Sequence, residues 1–169
     1  MAERDPEING RGNYPAYGAD YGAWIAAQSS LLRESRFSEL DIVNLIDEVE
    51  SLGRSDFRVF MSALRVVIVH MLKWDAQEHR RTPSWIDSID EQRKQVRWEL
   101  KDSPSYERRA DEAIARVYSK ARRKAAKETR LPAKHFPETC PFTFDEIMTR
   151  EHHLRDGPPD DHKPEQYDA

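Results

Sequence analysis

The sequence predicts an all-α fold, a mostly antiparallel bundle of about five principal helices plus a short C-terminal helix, with helix three central. Three observations carry this. Apolar residues recur at spacings of three and four along most of the chain, with no stretch that alternates as a strand does. Helix-breaking residues (Gly53, Pro83, Pro104, Pro132) fall between those stretches. Charged residues make up 34 % of the chain against 38 % hydrophobic, the balance of helices that show a charged face to water.

Residues 1–19 hold Gly, Pro and Asn without an apolar period. They read as a flexible N-terminal arm, with Tyr14 and Tyr17 resting on the body. Asp20 is a suitable N-cap for a first helix over Tyr21 to Arg33, where Trp24, Ile25, Ala27, Leu31 and Leu32 recur at helical spacing. Ser38 with Asp41 resembles a capping box. The second helix then runs through DIVNLIDEVESL and stops at Gly53, a residue suited to the position after a helix end.

Ser55 is set to cap the third helix, which runs to about Asp75 or Gln77. At about 100° per residue, Phe57, Phe60, Met61, Leu64, Ile68, Met71 and Leu72 form one face. Val59, Ala63, Val66, Val67, His70 and Trp74 form a second. A helix apolar on two faces belongs in the middle of a bundle. The fourth helix begins at Thr82 or Ser84, tolerates Pro83 in its first turn, and carries Trp85, Ile89, Val96 and Leu100 inward. After a break at Ser103 and Pro104, the spacing from Tyr106 to Ala125 traces a long fifth helix that ends near Thr129. The prolines of LPAKHFPETCPF forbid regular structure. Thr143 caps a short terminal helix through Met148. From residue 151 the chain is acidic, Pro-bearing and poor in apolar residues, and reads as a disordered tail. One helical domain over residues 20–150 is expected.

The totals bound the function. A net charge of −4 gives no global field for nucleic acid or membrane, although residues 108–130 are rich in Arg and Lys. One cysteine, Cys140, permits no internal disulfide and points to a reducing compartment. The opening MAERDPEING has no apolar core of a secretory signal. The longest apolar run, VVIVHML, is far short of the roughly 20 residues that span a bilayer. A cytoplasmic location is expected, with no membrane partner.

The order of these pieces carries a resemblance. ADYGAWIAAQSSLLRESRFSELDIVNLIDEVESLGRSD, then HMLKWDAQEHRRTPSWIDSIDEQR, then KETRLPAKHFPETCPFTFDEI resembles a bacterial family of α-helical proteins catalogued as domain of unknown function number twenty-nine. The likeness covers roughly residues 17 to 150. It implies an all-α fold and a bacterial cytoplasmic protein, and it implies no activity and no catalytic residue.

The residues themselves offer one candidate cluster: His70, Lys73, Trp74, Arg81, Trp85 and Glu91. His70 interrupts an apolar face, and with helices three and four antiparallel it lies level with Glu91 and Gln92. A His70–Glu91 or His70–Gln92 hydrogen bond is the leading structural expectation. Lys73, Trp74, Arg81 and Trp85 gather around the next turn, where cations beside indoles can bind anions or cover the end of a bundle. Glu50, on the flank of an apolar arc, is expected to pair with Arg54 or Arg58 on a solvated helix. The only near match to an inward Glu-x-x-His pair, Glu151 with His152 and His153, leads into the tail, so no metal site is expected. Cys140 lacks a cysteine-hydrolase setting. Arg122, Arg123 and Lys124 are consecutive and spread around their helix.

With no catalytic signature, no cofactor motif and charged helices, the sequence favours a non-enzymatic protein-interaction module that binds another protein or itself. The alternatives are a small-ligand binder or enzyme with a pocket near His70, Trp74, Trp85 and Glu91, and, less favoured, a nucleic-acid binder through the basic fifth helix.

Overall fold

The computed structural model describes residues 14–154. The tail from 155 and the arm up to 13 lie outside the described residues, and the arm and tail expectations fall largely on them. Among the described residues all regular structure is helical, as the periodicity predicts: α1 (Tyr21–Arg33), α2 (Ile42–Ala76), α3 (Pro83–Asp102), α4 (Ala110–Thr129) and α5 (Phe144–Thr149), with short 3-10 turns between them. The pattern over 20–150 suggests one domain; the packing groups the chain into two compact units that divide after Ser55.

The first unit holds α1 and the opening turns of α2. Asp20 caps α1, accepting from the Ala23 amide at 2.9 Å. The unit's own core is small: Tyr14, Trp24, Leu31 and Leu40, with Tyr17, Ala27 and Leu45 packed on it. Polar bonds set the register of the two helices. Tyr17 and Tyr21 donate their hydroxyls to Glu48, the Trp24 indole donates to Asp41 at 3.2 Å, and Gln28 accepts from the Asp41 amide at 2.8 Å. Tyr14 is buried and donates to the Glu39 carbonyl at 2.8 Å.

The expected second and third helices are one helix. α2 passes through Gly53 without a break, and Gly53 does not take the left-handed conformation that ends a helix. One interior glycine costs about 1 kcal/mol, which the apolar contacts on either side of it outweigh. Ser55 therefore caps nothing. Ser38 is no cap either: it lies in the 3-10 turn Phe37–Glu39. Asp41 accepts from the Asn44 amide and side chain in front of α2.

The second unit is built around residues 56–76 of α2. Both predicted faces of this stretch are largely inside: Phe57, Phe60, Leu64, Ile68 and Met71 on one, Ala63, Val67 and Trp74 on the other. Val59 departs from the pattern and is exposed. α3 adds Ile89 and Val96, and α4 adds Ala113, Val117, Tyr118, Ala121 and Ala125. Ala113, Ala121 and Ala125 of α4 are fully buried in the same core as the bulky side chains of α2. The fifth predicted helix begins later than its apolar spacing implies, because Pro104–Arg109 winds as 3-10 and places Tyr106 there. It ends where expected, at Thr129, with Arg130 in the left-handed region at φ 60°.

The proline-rich strap that follows crosses back over this core. Phe136, Phe142 and Ile147 are buried. The Tyr118 hydroxyl donates to the Pro137 carbonyl at 2.7 Å, and Arg122 donates to Phe136 at 3.1 Å. Thr143 and Glu146 cap α5 reciprocally.

Candidate functional site

Within the second unit, α2 sets His70, Lys73 and Trp74 on neighbouring positions of one side, by i, i+3 and i+4 spacing. Lys73 is buried and salt-bridged to Glu128 of α4 at 2.7 Å. Its ammonium also lies 4.5 Å from the centre of the Trp85 ring. Arg81 stacks 4.8 Å over Trp74 and donates to the Trp74 carbonyl at 3.1 Å. Lys73, Trp74, Arg81 and Trp85 are thus paired as two cation–indole contacts.

His70 is half-buried, and its Nδ1 donates to the Val66 carbonyl at 2.9 Å. A carbonyl only accepts, so Nδ1 carries the proton and Nε2 is the free nitrogen of the neutral ring. Burial lowers its pKa, Lys73 and Lys124 push the same way, and the Val66 bond and Glu128 oppose them. Burial resists ionisation of Glu128 as well, but the Lys73 bond and the charges of Lys73 and Lys124 hold it below the ordinary carboxylate range.

The expected His70–Glu91 or His70–Gln92 hydrogen bond does not form. Glu91 lies two residues beyond the inward Ile89, about 200° around α3, so it is exposed and faces Lys94 at 3.6 Å. The helix that meets His70 electrostatically is α4, through Glu128 and Lys124. The seam therefore gathers five of the six candidates, and Glu91 stands apart.

Three buried polar residues complete this unit, and sequence reasoning missed their roles. Gln77 donates to the Thr129 carbonyl at 3.1 Å. Arg93, inside the α3 apolar stripe, donates to the carbonyls of Ile147 at 2.7 Å and Arg150 at 2.8 Å, so it caps the C-terminal end of α5. His152 is 8 % exposed, with its ring edge-on to Trp74 at 5.1 Å. Its Nε2 has no hydrogen-bond partner among the described residues. Burial, then Arg93 and Arg150, press its pKa down to about 4. Arg150 itself clasps Asp75 at 2.6 and 3.0 Å. Arg93 was visible within the apolar spacing; nothing in the acidic composition after residue 151 marked His152 as a core residue.

Cys140 is half-buried and its thiol is pushed up by burial, away from nucleophilic chemistry. Among the described residues no three His, Cys, Asp or Glu side chains gather as a metal site would need. On α4 the three consecutive cations do spread around the axis, yet Arg116, Lys120, Arg123 and Lys127 return to one arc by i+4, i+7 and i+11 spacing, and all four are exposed.

The first unit presents a different feature. Ile42, Val43, Ile46, Val49 and Leu52 are large apolar side chains left in water, Val43 at 73 % and Val49 at 67 % exposure. Ile42, Leu45, Ile46, Val49 and Glu50 line an open apolar groove of about 240 Å³. On α1, Tyr21, Ile25 and Leu32 are exposed too, and they share one side of that helix. Glu50 pairs with Arg54 at 3.0 Å on the rim. The apolar period of IVNLIDEVESL marks this side of α2 as one that seeks cover, without saying from where the cover comes.

Among the described residues no helix is long and apolar enough to cross a membrane. No curated protein and no solved structure matches the chain. The family model described as Domain of unknown function DUF29 matches residues 16–153, which takes in every helix and the buried His152. The chain therefore belongs to the family described as Domain of unknown function DUF29.

Proposed function

We propose that this chain is a non-enzymatic protein-interaction module that docks through the apolar face of its first unit. The observation that carries the reading is the run Ile42, Ile46, Val49 on α2, solvent-exposed beside Tyr21, Ile25 and Leu32 on α1. Contiguous exposed apolar surface costs solubility and in folded proteins marks interaction sites. The cation–indole seam supports a structural role better than a ligand pocket, since Lys73 and Arg81 each already hold a carboxylate and an indole, and Glu91 is turned away.

Affinity capture with wild type and with Ile46→Glu tests the proposal. A specific protein, or the chain itself, is expected with wild type and lost with the variant, while His70→Ala retains it. Identical capture by wild type and Ile46→Glu would contradict the reading.

One observation favours a second reading. The exposed arc Arg116, Lys120, Arg123 and Lys127 is about 16 Å long at 1.5 Å per residue and fits a row of backbone phosphates. It predicts retention of duplex or single-stranded nucleic acid at low salt, lost steeply as salt rises and lost with Lys120→Glu/Arg123→Glu. No retardation at low salt removes it.

A further inference from the structure

Resting on the docking reading, we propose that the occupant of this face is a second copy of the chain, two first-unit hairpins pairing about a two-fold axis as a four-helix bundle. Four observations converge on it.

The first is size. The described part of the first unit has about 40 residues, the range in which a hydrophobic core alone is rarely sufficient and oligomerisation is a common remedy. Its core is four buried side chains. A two-helix hairpin buries one side of each helix only, and here the other side is also apolar.

The second is area. Tyr21, Ile25, Leu32, Ile42, Ile46 and Val49 are each between 40 % and 67 % exposed. With Val43 and Leu52 they present of the order of 700 Å², close to the roughly 800 Å² per partner of a stable interface.

The third is charge. The Tyr21–Glu48 bond places the start of α1 beside residue 48 of α2, so Arg33 lies about 18 Å away along α1 by its rise of 1.5 Å per residue. Neither Arg33 nor Asp47 has an ion-pair partner among the described residues. A two-fold axis across the helices carries Arg33 of one copy toward Asp47 of the other, while Arg36 is already held by Glu34 and Glu39 of its own chain. A self-complementary patch of this kind is what an isologous dimer requires.

The fourth is the poverty of the alternatives within the chain. Residues 155–169 contain no Val, Ile, Leu, Met, Phe or Trp, and residues 1–13 contain Met1 and Ile8 alone of these. Neither end can supply the apolar area.

Sedimentation velocity over a dilution series tests the proposal, with circular dichroism to confirm that each variant is folded. Wild type is expected at twice the chain mass, dissociating on dilution. Val49→Glu is expected to be monomeric with unchanged helix content, because Val49 touches little within its own chain. Arg33→Glu should weaken the dimer about tenfold, and Arg33→Glu/Asp47→Arg should restore it. Lys120→Glu, a charge reversal outside the face, should leave it unchanged. A wild type that is monomeric throughout overturns the second copy, as does a dimer that Val49→Glu leaves intact. The capture experiment separates the two levels. A monomeric wild type that holds a different protein through Ile46 and Val49 refutes self-pairing and keeps the docking face. A monomeric wild type with no Ile46-dependent partner refutes both.

Discussion

At the scale of single residues, the second unit concentrates its polar investment where the C-terminal strap meets α2 and α3. His152 is the most consequential. Its folded-state pKa, about 4, lies below the ordinary 6.5. The unfolded chain therefore takes up protons between those values while the folded chain does not, and stability falls as pH drops through that window. The loss is expected to be of the order of 2 kcal/mol. Urea unfolding above pH 6.5 and near pH 4 checks it. His152→Phe keeps an aromatic edge on Trp74 and should lose less stability than wild type over the same change; equal losses would contradict the account. Arg93 makes a second test. Arg93→Met removes the donor for the Ile147 and Arg150 carbonyls, and leaving such groups buried and unpaired should cost about 2–4 kcal/mol in denaturant unfolding. Part of this was legible in advance, because Arg93 stood among Ile89 and Val96 in the inward spacing. His152 was not, because composition averages over a tail and one buried residue disappears into it. The His70–Glu91 pairing failed because rotation about α3 turns Glu91 outward, where it faces Lys94.

At the scale of elements, the helices that the periodicity predicts are present, and the differences lie at their ends. α2 is the clearest case. A Gly followed by a Ser two residues later is the usual mark of a stop and a new start, and the sequence carries both at Gly53 and Ser55. The chain continues because apolar residues occur on both sides of that point at an unbroken helical period, and a single Gly costs too little to end it. Gly53→Ala tests this directly. A methyl group there meets nothing within 4 Å, so the variant should be more stable by about 0.5–1 kcal/mol. A destabilised variant would mean that the helix breaks at Gly53 after all. The late start of α4 has its own cause: Pro104 fixes the first turn, the chain winds tightly through Arg109, and the regular helix begins at Ala110.

At the scale of the whole molecule, the described residues hold one unit with a dense core and one whose exposed large apolar side chains outnumber its buried ones. The family assignment and the all-helical fold were readable from ordered motifs and spacing. The exposed face was not, because a hydrophobic period reports that a side of a helix seeks cover without saying whether the cover comes from the same chain. That distinction needs coordinates, and it turns a stretch that reads as core into the candidate interface. The central claim is that a second copy of the chain covers this face. The most direct measurement is the attenuation of the Ile42, Ile46 and Val49 methyl resonances by a soluble paramagnetic probe, in concentrated wild type and in concentrated Val49→Glu, the latter read at Ile42 and Ile46. The account predicts protected methyls in wild type and strongly attenuated ones in the variant. Equal, strong attenuation in both would show the face bare in water and contradict it.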